Sequence, residues 1–226
     1  MPTPSGLNLS SVFHKPSRLK WLLPLALMAC VSNANAEATP AAPGADDFKK
    51  AQDIIGQNRP EALKLYQRAA EAGNTDAMVD LGYQLGQDGN MTDAAKWYQQ
   101  AAEKGNALGM FNLGWDYANG KGVTQSDTEA LKWYKKAAEA GNANAMVNYG
   151  WLYETGKGVT KDQAEAFKWY QKAAEAGNVT AMYNLANCYE NGRGIELNMT
   201  EAVKWYRKAA AAGDNDAKKR LMALGL

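Results

Sequence analysis

The chain has 226 residues, and its 25 basic and 24 acidic side chains leave a formal net charge of +1 at pH 7. This near-neutral balance, without basic clusters, argues against nucleic acid or an anionic membrane surface as the main partner. With one histidine and two cysteines, the chain also has few side chains for metal binding or nucleophilic catalysis.

The N-terminal segment, residues 1–36, predicts export. Basic residues between positions 15 and 20 precede an apolar run over 21–31, and a small-x-small site ends at Ala36. These are the features of a secretory signal peptide. The apolar run is shorter than the roughly 20 residues that span a bilayer. We therefore expect a periplasmic or secreted bacterial protein with no transmembrane segment in the mature chain.

A second processing route starts from the sequence LMAC, which ends at Cys30. It resembles a bacterial lipoprotein box, in which the cysteine is lipidated and becomes the new N-terminus. Because Met28 is bulkier than that motif usually accepts, cleavage after Ala36 is the preferred interpretation. The proline- and alanine-rich residues 37–45 then form a flexible linker.

The residues left after such cleavage argue against an enzyme. His14 leaves with the leader, and Cys188 becomes the single cysteine, so the mature chain lacks the side chains of a Ser-His-Asp triad or a His/Cys zinc site. Asp116 and Glu154 leave carboxylate-pair hydrolysis open, but the sequence shows neither the required separation nor a raised pKa. We predict no catalytic residue, no metal site and no cofactor.

The strongest feature of the chain is an internal repeat. Trp97, Trp133, Trp169 and Trp205 are 36 residues apart, and each opens a phrase similar to WYKKAAEAGN, with a weaker copy beginning at Leu65. Self-similarity at this period indicates stacked units that cannot bury their apolar faces alone. The predicted units cover residues 46–73, 74–105, 106–141, 142–177 and 178–213, and a capping helix covers 214–226.

Each unit reads as a pair of helices. Residues 142–155 carry apolar side chains at the spacing of one helical face, residues 156–158 (GKG) break the helix, and a second apolar face follows over 164–176. A good N-cap residue stands before every second helix, at Asn58, Asn90, Ser126, Asp162 and Asn198. An acid three residues later predicts a capping box. A glycine followed by Asn or Asp ends every second helix, at Gly73, Gly105, Gly141, Gly177 and Gly213.

The phrase AMxNLGxxYxxGxGVxxxxxEAxKWYxKAAEAG resembles the Sel-one-like repeat (SLR) family, a branch of the tetratricopeptide-like α-solenoids. The glycine turns at 120–123, 156–159 and 192–195 match that family's turn, and the resemblance covers residues 46–226. It implies an all-α, right-handed α-α superhelix of about five helical hairpins, whose first helices line the concave side. Similar bacterial proteins are extracytoplasmic adaptors, envelope-assembly factors or host-contact proteins. The repeat itself specifies no ligand.

A stripe of large side chains runs along the first helices of the units. It is formed by pairs spaced i, i+4: Val79/Tyr83, Phe111/Trp115, Val147/Trp151 and Tyr183/Asn187. If the stripe is open, it is a groove for a peptide or helix; if each helix is buried on two sides, these residues are core. The candidate partner-binding residues are Tyr83, Phe111, Trp115, Val147, Trp151 and Asn187.

These observations predict a scaffold or adaptor outside the cytoplasm that binds a protein or peptide on its concave face. The alternative is a binder of glycan or peptidoglycan that positions or regulates a cell-wall enzyme. The four repeated tryptophans could stack on sugars, but their identical place in every unit favours a structural role. The expected partner is a protein or peptide whose identity the sequence does not give; envelope proteins and peptidoglycan are candidates, and nucleic acid is not.

Overall fold

The computed structural model describes residues 43–226 of the chain. The predicted signal peptide, the Cys30 alternative and residues 37–42 of the predicted linker lie outside this range. The described residues form eleven α-helices. Their bounds are α1 Ala45–Ile54, α2 Arg59–Glu71, α3 Thr75–Gln87, α4 Met91–Glu103, α5 Ala107–Asn119, α6 Asp127–Glu139, α7 Ala143–Thr155, α8 Gln163–Glu175, α9 Val179–Asn191, α10 Met199–Ala211 and α11 Asn215–Ala223.

The helices pair into five hairpins, α1–α2 to α9–α10, which we number repeats 1 to 5. We call the leading member of each hairpin its first helix and the other its second helix. Within a repeat the two helices pack closely, and each second helix also packs on the first helix of the next repeat. The first helices α3 and α5 contact each other directly, and α11 packs on α10. This arrangement confirms the predicted all-α solenoid.

The predicted helix boundaries are confirmed. Every predicted N-cap side chain accepts a hydrogen bond from the backbone N–H three residues later. At the other end, Gly177 adopts a left-handed φ of 88°, and the Asn178 N–H donates to the Ala173 carbonyl, as in a Schellman motif. The Asn178 side chain then caps α9. One residue therefore closes one helix and opens the next.

The N-caps form only half of a capping box. In repeat 4 the backbone N–H of the N-cap Asp162 donates to the Tyr153 carbonyl of the preceding helix, not to the carboxylate of Glu165. That carboxylate accepts from Lys168 and from the indole N–H of Trp169 instead. The bond to the Tyr153 carbonyl is favoured over a bond to Glu165, because it satisfies the N-cap N–H and leaves the Glu165 carboxylate able to pair at the surface.

The Gly-x-Gly turns of repeats 3 to 5 rest on the preceding repeat. A Cβ added at Gly158 would lie 2.6 Å from the carbonyl oxygen of Asp127, and one added at Gly194 would overlap the carbonyl oxygen of Gln163. Both residues also have a positive φ. Each turn therefore places glycine against the start of the preceding second helix, where a side chain has no room.

The core lies between the helix layers and is built from alanines and aromatic rings. Alanines such as Ala173 are fully buried, and Trp133 and Trp169 are 9% and 8% exposed. The structural role of Trp133 and Trp169 is confirmed. Trp97 and Trp205 also pack on core clusters, but they are half-buried and keep part of the ring exposed. In the described part of the chain, no helix has the length and apolar character needed to cross a bilayer.

Candidate binding face

The predicted stripe divides into two columns. The second members of the four pairs, which we call the aromatic column, are half-buried: Tyr83, Trp115, Trp151 and Asn187. They occupy the same position in α3, α5, α7 and α9, so they follow one another from repeat to repeat. The Lys157 ammonium lies 4.8 Å from the ring centroid of Trp151. This face therefore already holds one cation over an aromatic ring.

The first members of the pairs belong largely to the core. Phe111 is 2% exposed and its ring centroid lies 5.9 Å from that of Tyr134, so its prediction as a partner-binding residue is wrong. Val79 is equally enclosed at 4%. Val147 is half-buried and packs on a core cluster. The reason is that each first helix contacts both its own second helix and the preceding one, which buries two of its sides.

A polar column on the same helices was missed by the sequence reasoning. It contains Asp80, Asn112, Asn148 and Asn184, one residue after the first members of the pairs, and Arg220 continues it on α11. The Asn148 amide interacts with the Tyr134 hydroxyl of the preceding repeat. The sequence does contain a pattern that predicts this column, because a polar residue recurs at the repeat spacing inside an apolar helix.

Repeats 4 and 5 each bury a tyrosine hydroxyl against a glutamate. Tyr170 donates to Glu154 at 2.7 Å, and Arg193 from the next repeat donates to the other carboxylate oxygen at 3.1 Å. Tyr206 donates to Glu190 at 2.7 Å, and the guanidinium of Arg220 pairs with that carboxylate.

The pKa of Glu190 shows the balance of forces in such a group. Burial alone would raise it, but the hydrogen bonds from Arg220 and Tyr206 and the charge of Arg220 lower it below the ordinary value. The paired carboxylate is therefore held in its ionised form. Because Glu154 is occupied in the same way by Tyr170 and Arg193, its carboxylate has a structural role.

Repeat 3 places an acid in a different environment. Asp116 is 5% exposed, and burial raises its pKa to about 7 against a smaller opposing effect of Lys121. Asn112 lies one turn earlier on α5 and is 3% exposed. Within residues 43–226, Asn112 Oδ1 and Asp116 Oδ2 are the two buried side-chain atoms that have no hydrogen-bond partner. Buried acceptors without a donor are costly, by about 1–3 kcal/mol each.

The second helices carry a different surface. The ammonium groups of Lys136, Lys172 and Lys208 lie 4.3, 4.1 and 4.0 Å from the ring centroids of Trp133, Trp169 and Trp205. At the equivalent position beside Trp97 the chain has Gln100. An open depression lies there, lined by Trp97, Gln67, Asp93 and Gln100 among others, and a second one lies beside Trp205. No residue of the aromatic column lines either depression.

Cys188 sits at the position that Asp116 occupies in repeat 3. It is 4% exposed, and burial together with the nearby Glu154 raises the pKa of its thiol to about 12, against an opposing effect of Arg193. A thiol in this state is a small apolar core group with little thiolate character.

The family model of the Sel1 repeat matches five consecutive segments: 50–74, 75–106, 107–142, 143–178 and 179–214. The chain belongs to the Sel1 repeat family. Proteins of this family are generally scaffolds for protein–protein interactions and are typically not enzymes. We found no match among curated proteins.

Solved structures agree with this assignment. A Sel1 repeat protein from Oxalobacter formigenes is 32% identical, with a TM-score of 0.74, and the alignment covers 81% of this chain and 78% of that one. The protein c5321, a protective antigen of uropathogenic Escherichia coli with an SLR fold, is 29% identical with a TM-score of 0.74. That alignment covers 79% of this chain but 40% of c5321, so the chain spans less than half of that relative. The immunity protein PA5088 of Pseudomonas aeruginosa, at 23% identity and a TM-score of 0.53, shares the fold.

Proposed function

We propose that the chain is an extracytoplasmic scaffold that binds a protein or peptide along the face formed by its first helices. The observation that carries the proposal is the aromatic column, because Tyr83, Trp115, Trp151 and Asn187 stay half-buried at the same position of four successive first helices. Partly exposed tryptophan and tyrosine are the residue types most enriched among interface anchors. Adjacent amides of the polar column can hydrogen-bond an extended backbone.

The proposal is tested by chemical crosslinking of the full chain in envelope extracts, followed by identification of the captured proteins. Trp115→Ala and Trp151→Ala should each reduce capture by about tenfold or more, the effect of losing an interface anchor. Leu197→Ala is the matched control, because Leu197 is 65% exposed and lies in the turn before α10. Circular dichroism checks that the variants stay folded. Capture that survives both tryptophan changes would contradict the proposal.

The location outside the cytoplasm rests on the predicted signal peptide. Mass spectrometry of the protein from fractionated cells gives its N-terminus directly. We expect the chain to begin at Glu37 and to lie in the periplasmic or extracellular fraction. A lipidated Cys30 at the N-terminus would establish the alternative route, and an intact leader in the cytoplasmic fraction would contradict export.

A second candidate function is glycan binding at the depression beside Trp97. An indole next to the amides and carboxylate of Gln67, Gln100 and Asp93 can stack on a sugar ring and hydrogen-bond its hydroxyls. Sedimentation with purified peptidoglycan tests this directly. If the chain binds there, Gln67→Ala and Gln100→Ala should release it into the supernatant, whereas Trp115→Ala should not.

A further inference from the structure

Charge is divided unequally between the two helix layers. From α3 to α10, every lysine and arginine within a helix lies on a second helix. The first helices of repeats 2 to 5 carry five acids, namely Asp76, Asp80, Asp116, Glu154 and Glu190, and no basic residue. The face that holds the aromatic column is therefore intrinsically acidic.

The acids at the two ends of this face differ in their partners. Glu154 and Glu190 are neutralised by the guanidinium groups of Arg193 and Arg220. The first-helix acids of repeats 2 and 3 lie at other positions and have neutral or weaker partners. Asp76 accepts from the Asn106 amide at 2.8 Å, Asp80 interacts with the Gln52 side chain, and Asp116 is influenced by the charge of Lys121 without an ion pair between the two. The carboxylates of α3 are thus not paired with a guanidinium group, and α5 carries a negative charge whenever Asp116 is ionised.

Side chains of repeats 2 and 3 act on one hydroxyl. Burial raises the pKa of Tyr98, and Asp116, Tyr83 and Asp80 raise it further. Tyr98 belongs to α4, which packs on both α3 and α5, so these three side chains lie around the junction of the two repeats. We call Asp76, Asp80, Tyr83, Asn112, Trp115 and Asp116 the acidic patch.

Two oxygens of the acidic patch lack a donor. They are Oδ1 of Asn112, which is 3% exposed, and Oδ2 of Asp116, which is 5% exposed. Neither oxygen has a hydrogen-bond partner. The two residues lie one helical turn apart on the same side of α5, and both oxygens are themselves buried. An ammonium or guanidinium group carries donors and no acceptor, so it has the chemistry that these oxygens lack.

The aromatic members of the patch suit the same ligand. The chain itself places the Lys157 ammonium over Trp151, and Trp115 is the equivalent residue of repeat 3. A cation above an aromatic ring and beside a carboxylate is attracted by both. Carboxylate, amide oxygen and aromatic ring together distinguish a basic side chain from an acidic or purely apolar one.

We propose that the acidic patch binds an arginine or lysine side chain of an extended peptide segment in the partner protein. This inference rests on the proposed function and names the chemistry of its partner. Asp80 and Asp76 face the incoming cation, Tyr83 and Trp115 flank it, and the acceptors of Asn112 and Asp116 lie behind it. The C-terminal part of the face, where the glutamates are already paired with arginines, holds the neighbouring backbone through the amides of Asn148 and Asn184.

The probe is a fluorescein-labelled peptide of alternating arginine and serine, and binding to the full chain is followed by fluorescence anisotropy at about physiological ionic strength. Matched peptides carry glutamine or glutamate in place of arginine. We expect the arginine peptide to bind at least about tenfold more tightly than the glutamine peptide and the glutamate peptide to bind most weakly, as charge complementarity requires.

Asp80→Asn and Asp116→Asn should each weaken binding of the arginine peptide by about tenfold, because each removes a charge and keeps the side-chain shape. Glu175→Gln is the matched control, since Glu175 is an exposed acid on the second helix α8; its affinity should be unchanged. Asp116→Asn is expected to be more stable than the natural chain, so weaker binding by that variant is not a sign of unfolding.

Protonation gives a second readout. Burial raises the pKa of Asp80 to about 6, with an opposing effect of Gln52 and a further rise from Asp76, and the pKa of Asp116 is about 7. The other ionisable groups that face these acids are Tyr66, Tyr98, Tyr134 and Lys121. Affinity for the arginine peptide should fall as the pH is lowered from about 8 to about 5. The double variant Asp80→Asn/Asp116→Asn should lose this dependence.

Equal binding of the arginine and glutamine peptides, or no effect of either aspartate change, would overturn the proposal. Weakening by Trp115→Ala alone would leave the proposed function standing and refute the cationic ligand. If neither the peptides nor the captured proteins depend on any residue of this face, both ideas fail. Preferential binding of the glutamate peptide would also refute the proposal.

Discussion

Repeats 2 and 3 and repeats 4 and 5 share one backbone plan but treat their buried acids in opposite ways. In repeats 4 and 5 a tyrosine hydroxyl and an arginine satisfy each glutamate, as at Tyr170, Glu154 and Arg193. At the position that Glu154 occupies in repeat 4, repeats 2 and 3 have Gly86 and Ala118. The acid of repeat 3 lies instead at Asp116, where no hydrogen bond reaches its Oδ2 atom.

The comparison shows that the buried acids of repeats 4 and 5 are satisfied within the chain, whereas the buried acid of repeat 3 has one oxygen that is not. A satisfied ion pair adds rigidity, whereas a buried acceptor without a donor costs free energy unless a partner supplies one. The two environments also have opposite pH dependence. Glu190 has a lowered pKa, so its contribution to stability is present above its unfolded pKa and lost as pH falls. Asp116 has a raised pKa, so its contribution is present at low pH and lost as pH rises.

The largest expected effect comes from the turn that presents Arg193 to Glu154. Gly194→Ala should lower the free energy of unfolding by about 3 kcal/mol, because it combines a positive φ with overlap onto the backbone of Gln163. Gly177→Ala is the matched control: φ is +88° but nothing lies within 4 Å of the added Cβ, so about 1 kcal/mol is expected. Urea denaturation measures both, and equal losses would show that the turn does not rest on α8.

The next effect comes from removing the acceptor in repeat 4. Glu154→Ala should cost about 2–3 kcal/mol in unfolding free energy, because it leaves the hydroxyl of Tyr170 buried without an acceptor. Adding Tyr170→Phe should recover part of that loss, since the orphaned hydroxyl disappears. Glu175→Ala, at an exposed position of α8, should have almost no effect. If the loss of unfolding free energy in the double variant equals the sum of the losses in Glu154→Ala and Tyr170→Phe, the result would argue against the hydrogen bond.

In repeat 3, removing the charge of the buried acid should stabilise the chain instead of destabilising it. Asp116→Asn should raise the free energy of unfolding at about pH 8 by roughly 1–2 kcal/mol, because it removes a charge that burial disfavours. Near pH 4 Asp116 is protonated in the folded state, so the gain should shrink toward zero between about pH 7 and pH 4. Denaturation curves across this range test the sign. A variant that is less stable at pH 8 would mean that the carboxylate has a donor in solution.

The smallest effect concerns Cys188 and requires no change of sequence. Because burial raises the pKa of this thiol to about 12, a thiol reagent at about pH 8 should label the folded chain at least about 100-fold more slowly than the unfolded chain. Labelling followed by mass spectrometry gives both rates. Rapid labelling of the folded chain would show that repeat 5 opens more readily than its satisfied Glu190 pair implies.

Local rules predicted much of the architecture. The repeats, the glycine ends such as Gly177 and the N-caps such as Asn178 depend on interactions within a few residues, and the sequence displays them directly. The burial of Phe111 could not be read in the same way. Its spacing is equally consistent with a groove and a core, because periodicity assigns a face to a helix but not the neighbour that covers it.

The sequence by itself determined that the described chain is a stack of helical hairpins, since a repeated apolar pattern with repeated caps allows few other solutions. Only the tertiary structure decided which of two similar acids is paired. Arg193 reaches Glu154 from 39 positions away, and Asp116 becomes buried through contacts that adjacent repeats make. Charge satisfaction depends on distances between repeats, and those distances exist only after the helices have packed.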